Sequence, residues 1–175
     1  MVSDPATRPL AVLVGPPGSG KTTVGRALAA RLGVDLHDTD LAIEASTGRT
    51  IADIFIEEGE PVFRDLERAE VARALAETTG VLALGGGAVM DAETRAALEG
   101  HTVVFLDVAI ADASKRIGFD QSRPLLTVNP RAGWVALMKQ RRPVYEAVAS
   151  HTVDTAGRAP EDIAAEIAGL LGERR

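Results

Sequence analysis

Three features of the sequence predict an α/β fold whose parallel sheet is covered by helices on both faces. Short apolar runs alternate with helical segments along the chain, the runs are apolar at consecutive positions, and glycine clusters close the first and third of them. Such sheets take right-handed crossovers and gather ligands beyond the carboxyl ends of their strands.

The elements follow in order. Leu10 to Val14 is the first strand, and it stops at a Gly/Pro cluster. Val24, Leu28 and Leu32 recur every four residues with Ala27 on the same face, so Lys21 to Leu32 is predicted as a helix that Gly33 closes. Val34 to His37 is a short strand, after which Asp40 is expected to cap a helix over Leu41 to Thr47 that Gly48 ends. Thr50 repeats the device for Ile51 to Glu58. Gly59 breaks that helix, and Pro61, suited to a first turn whose amide lacks a partner anyway, restarts one to Thr78. Val81 to Leu84 is the third strand, followed by a helix capped by Asp91 and ended by Gly100, then a fourth strand over Thr102 to Leu106. Ile110 to Ile117 is predicted helical, and Gly118 to Pro130, Pro-interrupted and aperiodic, is predicted as a mobile loop. Arg131 to Ala149 reads as a helix that Pro143 should bend or restart. Thr152 to Asp154 and Pro160 to Leu171 close the pattern as a strand and a helix.

A length of 175 residues predicts one domain. The chain is 46% apolar and 25% charged, and its six aromatic residues leave the core to Ala, Val, Leu and Ile. No apolar run approaches the ~20 residues that cross a bilayer, and the first nine residues lack the apolar stretch of a signal peptide, so a soluble, cytoplasmic protein is expected. The absence of cysteine excludes disulfides, thiolate nucleophiles, zinc-thiolate sites and iron-sulfur clusters. A net charge of −6 without a clustered basic face argues against nucleic acid as partner. Only three basic residues are lysines, which singles out Lys21 in its glycine-rich surroundings.

Gly15 to Thr22 reads GPPGSGKT and fits G-x-x-x-x-G-K-[ST]. Taken alone it also fits a Gly-rich turn that only caps a helix. Its place between a strand and a helix lets backbone amides and the helix N-terminus converge on a polyphosphate, with Lys21 on the β- and γ-phosphates and Thr22 offering a hard oxygen to Mg²⁺. In His37-Asp38-Thr39-Asp40, two carboxylates two residues apart would share a side of extended chain at the phosphate edge. Asp38 suits a Mg²⁺-bound water and Asp40 an acceptor hydroxyl, whereas His37 is read as structural. Gly85, Gly86 and Gly87 allow close backbone approach and exposed amides, or simply a tight turn. Arg64 could fork onto a carboxylate or lie in solvent, and Arg123, in Arg123-Pro124-Leu125-Leu126, could stabilise a transferring phosphoryl group.

With these motifs in this order, the chain resembles the shikimate kinase family of P-loop, nucleoside-monophosphate-kinase-like proteins, from about Leu10 to Ala168. The resemblance rests on GPPGSGKT, Asp38-Thr39-Asp40, Gly59-Glu60 through Phe63-Arg64, LGGGA from Leu84 to Ala88, RPLL from Arg123, and Arg141 with Pro143 and Tyr145. It implies a three-layer fold with a five-stranded parallel sheet of order 2-3-1-4-5 and a lid over about 118–130. The implied reaction is transfer of the ATP γ-phosphoryl group to the 3-hydroxyl of shikimate, with Mg²⁺, by a monomer. It further implies that Asp40 binds ring hydroxyls and acts as base, and that Arg64, Arg141 and the Gly85, Gly86 and Gly87 segment bind the carboxylate. Gly18, Ser19, Gly20, Lys21, Thr22 and Thr23 would hold the nucleotide, Thr22 and Asp38 the metal shell, Arg123 the phosphoryl group, and Arg116 and Arg158 the adenine. Arg141 rather than Arg142 is chosen by its distance from Pro143. Phe55 and Phe63 match apolar walls of the acceptor site, and Glu67 would orient Arg64. Two other readings stand beside this one: a kinase for another small hydroxylated acceptor such as gluconate, and a noncatalytic nucleotide switch with no need of Asp40, Arg64 and Arg141 together.

Overall fold

In the computed structural model, which describes residues 8–109, 112–113 and 130–172, five parallel strands form one sheet. They are β1 (Ala11–Val14), β2 (Leu36–Asp38), β3 (Val81–Ala83), β4 (Val103–Asp107) and β5 (His151–Asp154), ordered β2-β3-β1-β4-β5. The helices are α1 (Lys21–Leu32), α2 (Thr39–Thr47), α3 (Ile51–Glu58), α4 (Glu60–Glu77), α5 (Ala92–Ala97), α6 (Pro130–Val148) and α7 (Pro160–Gly172).

Alternation of side chains along each strand sorts the core into two layers. Val12, Val14, Leu82, Val103 and Phe105 face α4 and α6 through Val71, Leu75, Met138 and Tyr145. Ala11, Leu13, Val81, Val104 and Leu106 face α1 and α7 through Leu28, Ile163 and Ile167. Because both faces are covered, the strands read as unbroken apolar runs. A third cluster, Ile43, Ile54 and Phe63, ties α2, α3 and α4 into a separate lobe at the β2 side.

Four expectations change. β2 begins at Leu36, and the chain turns helical at Thr39, so Asp38, not Asp40, is the N-cap of α2: its carboxylate accepts from the Leu41 amide at 3.1 Å. Asp38 and Asp40 therefore do not share a strand face; one ends β2 and the other lies in the first turn of α2. α5 stops at Ala97, before Gly100. Of the two outcomes expected at Pro143, the restart does not occur, since α6 is continuous through it. Proline deprives the Lys139 carbonyl of its donor, but both residues are solvent-exposed, where water satisfies it. The caps Thr50 and Asp91 stand where expected, each accepting from the third residue on. The helix expected over Ile110 to Ile117 and the loop over Gly118 to Pro130 lie almost wholly outside the described residues.

Candidate functional site

The phosphate loop joins β1 to α1 at the carboxyl edge of the sheet. Gly18 and Gly20 take φ of 81° and 87°, values L side chains rarely adopt, so the motif's glycines are required by backbone conformation. Lys21 reaches back across the loop to donate to the Gly15 and Pro16 carbonyls at 2.8 and 3.0 Å. Ser19 is fully buried with its hydroxyl unpartnered. Thr22 donates to Asp38 Oδ2 at 2.6 Å, which places a hydroxyl and a carboxylate together beside the loop, while Thr23 faces solvent. This hard-oxygen pair fits Mg²⁺, an ion that takes few protein ligands and completes its shell with phosphate and water. Among the described residues no group of three or more His, Cys, Asp or Glu forms an all-protein metal cage.

Next to the loop opens a cavity of about 620 Å³. Pro17 and Thr22 line it from the phosphate side, Asp38, Asp40 and Glu44 from the β2 end and α2, and Phe55, Phe63, Arg64 and Glu67 from α3 and α4. Gly86 and Gly87 follow β3, and Arg141 enters from α6. The sequence-predicted residues of the acceptor side thus meet in one space, apart from Gly85.

None of the triplet's members has positive φ, so a side chain there would meet crowding by neighbouring side chains rather than backbone strain. A Cβ at Gly85 would stand 2.5 Å from Asp40 Oδ1 and 2.8 Å from Glu67 Oε2, and one at Gly87 would stand 2.6 Å from Arg64 Nη1. The Gly85 amide is not exposed as expected: it donates to Thr39 Oγ1 at 3.1 Å, which leaves Gly86 and Gly87 as the members facing the cavity.

Arg64 donates to Glu67 at 2.7 Å and to Glu60 at 3.2 Å, and its guanidinium lies 5.3 Å from the Phe63 ring centre. Phe63 in turn packs on Phe55 with centroids 4.9 Å apart. Burial works against the charge of Arg64, yet Glu67 and Glu60 outweigh it and hold the cation. Burial pushes the Glu67 carboxyl above the usual glutamate range against the pull of Arg64 and Arg141. Arg141 is 6% exposed and faces the cavity, whereas Arg142 forks onto Asp107 at 2.7 and 2.9 Å. Neighbouring residues on a helix point about 100° apart, and here that rotation separates a cavity arginine from a structural one. Arg158, after β5, donates to Glu166 and to the Asp154 carbonyl, both at 2.7 Å. Arg116 and Arg123 lie outside the described residues. His37 pairs with Glu70 at 2.7 Å, a structural contact as expected.

Three residues have framework roles that the motifs do not reveal, although Thr39 and Tyr145 stand within them. Thr39 holds Gly85. Tyr145, fully buried, donates its hydroxyl to the Gly86 carbonyl, and burial raises its pKa so that it stays a donor. Trp134 donates its indole N–H to the Pro17 carbonyl at 3.3 Å. The signal was there: a lone Trp and a lone Tyr in an aromatic-poor chain need partners for their polar tips once buried.

The family described as shikimate kinase matches residues 17–171. A shikimate kinase of Salinispora tropica is 64% identical over 163 residues, covering 93% of this chain and 98% of that one. One of Thermobifida fusca is 58% identical over 166 residues, covering 95% and 96%. Among solved structures, shikimate kinase from Acinetobacter baumannii in complex with shikimate superposes with a TM-score of 0.92 at 41% identity, covering 97% of this chain and 96% of that one.

Proposed function

The chain belongs to the shikimate kinase family, and from that premise we propose which of its residues perform the transfer of the ATP γ-phosphoryl group to the 3-hydroxyl of shikimate. The observation that carries the assignment is the shared cavity: Asp40, Arg64, Arg141, Gly86 and Gly87 line the same space as Pro17 and Thr22 of the phosphate loop.

Arg64 and Arg141, with the Gly86 and Gly87 amides, bind the shikimate carboxylate, since two guanidinium forks beside free backbone donors suit a planar anion. Phe55 and Phe63 cover an apolar face of the ring. Asp40 accepts hydrogen bonds from ring hydroxyls and takes the proton of the 3-hydroxyl as its oxygen bonds to the γ-phosphorus. The bond to the β–γ bridging oxygen breaks, and ADP leaves with that oxygen. Gly18 to Thr23 cradle the phosphates with backbone amides, and Lys21 exchanges its loop carbonyls for phosphate oxygens. Thr22 and Asp38 would hold Mg²⁺, which supplies charge neutralisation on the β- and γ-phosphates. Arg123 is assigned to the transferring phosphoryl group and Arg116 and Arg158 to the adenine side by resemblance alone. Residues 38–67 then form the acceptor-binding segment of a single domain. Among the described residues no helix is long and apolar enough to cross a membrane. A cytoplasmic monomer is the corresponding reading, because phosphate loop and acceptor cavity come from one chain.

A coupled ADP-release assay with ATP, Mg²⁺ and shikimate, run beside gluconate and nucleoside monophosphates, tests this. Turnover is expected with shikimate alone. Preference for another acceptor would overturn the assignment, and nucleotide binding without any transfer would favour the switch.

A further inference from the structure

One face of α6 touches both substrate loops. Trp134, Met138, Arg141 and Tyr145 follow at spacings of four, three and four residues, and none is more than 6% exposed. Met138 packs in the core, whereas the other three direct polar tips at the site. Trp134 holds the Pro17 carbonyl of the phosphate loop, Arg141 enters the cavity, and Tyr145 holds the Gly86 carbonyl of the glycine triplet.

The two loops also touch each other, for a Cβ on Gly86 would stand 3.1 Å from Pro17 Cδ and 3.4 Å from Arg141 Nη1. The far side of the phosphate loop is equally confined. A Cβ at Gly15 would stand 2.8 Å from the Leu106 carbonyl, and one at Gly18 3.1 Å from the Ala113 carbonyl. The loop is thus wedged between the β4 side and α6.

We infer that Trp134 and Tyr145 are positioning residues for the transfer: bonded along one helix face, they fix the separation between the phosphate loop and the acceptor-binding glycines. This rests on the reading of the site given above. In-line phosphoryl transfer asks the protein mainly for placement, and an error of about 1 Å costs on the order of a hundredfold in rate. Neither residue lines the cavity, although the Tyr145 hydroxyl also lies against Arg141. Their loss should therefore leave each substrate's own binding intact and lower kcat, whereas a merely structural pair would lower stability and spare kcat.

The chain's single Trp and single Tyr make the test clean. Replacing every Trp with β-(3-benzothienyl)alanine exchanges the Trp134 N–H for sulfur in a ring system of the same shape, and Tyr145→Phe removes only a hydroxyl. Trp134→Phe serves if the analogue impairs folding. Each change is expected to lower kcat with ATP and shikimate by about fivefold or more, while calorimetric Kd values for MgADP and for shikimate, measured separately, stay within about twofold. Combined, the losses should fall short of their product, because both act on one spacing. A kcat within about twofold of the unmodified protein overturns the role of the residue changed, as does a loss carried by Kd alone. Absence of shikimate phosphorylation in the unmodified protein overturns the functional reading and this inference with it. Full activity in the altered proteins overturns this inference alone.

Discussion

Lys21 has two carbonyl partners in its own loop, which under the proposed function it gives up for phosphate. The exchange is favourable only because an anion replaces neutral acceptors in a cradle of amides. Lys21→Ala should lower kcat on the order of a hundredfold or more in steady-state turnover. Arg64→Ala should instead raise the KM for shikimate and leave the KM for ATP unchanged, since its contacts are all on the acceptor side. Glu67 gives a pH signature. Its carboxyl is raised by burial, with Asp91 adding to the rise and Arg64 and Arg141 opposing it, so it is among the first glutamates to protonate as pH falls. The folded state then holds this proton more tightly than the unfolded chain. Through this group, stability increases as pH falls through the folded value toward the unfolded one, and is lost on the way back up. Binding has the opposite sign, because protonation removes the 2.7 Å ion pair by which Glu67 orients Arg64 toward the carboxylate it is proposed to bind. The KM for shikimate is expected to begin rising at higher pH than the KM for ATP, and Glu67→Gln should remove the difference between the two profiles.

Among the elements, caps and periods in the sequence located most helices closely, since they act within a few residues. Thr50 is such a cap, accepting from the Asp53 amide at 3.1 Å at the head of α3. Thr50→Ala should cost about 1 kcal/mol in urea denaturation, and Thr50→Ser should recover most of it. The cap of α2 was misassigned for an equally local reason. Asp38 and Asp40 are both good caps, and only the pairing of β2 through Asp38↔Ala83 decides that the strand continues to Asp38 before the helix begins. Arg141 and Arg142 pose the same problem on a helix. Sequence places both on α6, and the packing of Tyr145 and Met138 into the core selects the one that faces the cavity.

For the whole molecule, the site lies where the carboxyl ends of the strands meet the α2–α4 lobe, so a bound acceptor bridges separately packed clusters. Ligand that binds only the folded state stabilises it by mass action. Shikimate at about 100 times its Kd should add about 2.7 kcal/mol and raise Tm by roughly 5–10 °C in a scan, and gluconate at the same concentration should leave Tm unchanged. The sequence by itself determined the phosphate loop, the alternation of strands and helices, the charged residues of the acceptor side and, through their order, the family. These depend on spacing within short segments. Tertiary structure alone decided that the Asp40 and Glu67 carboxylates and the Arg64 guanidinium crowd the glycine triplet, that Thr39 occupies the Gly85 amide, and that Trp134 and Tyr145 hold two loops from one helix. Each joins residues at least 18 positions apart, and no local pattern encodes which distant backbone a buried polar tip will meet.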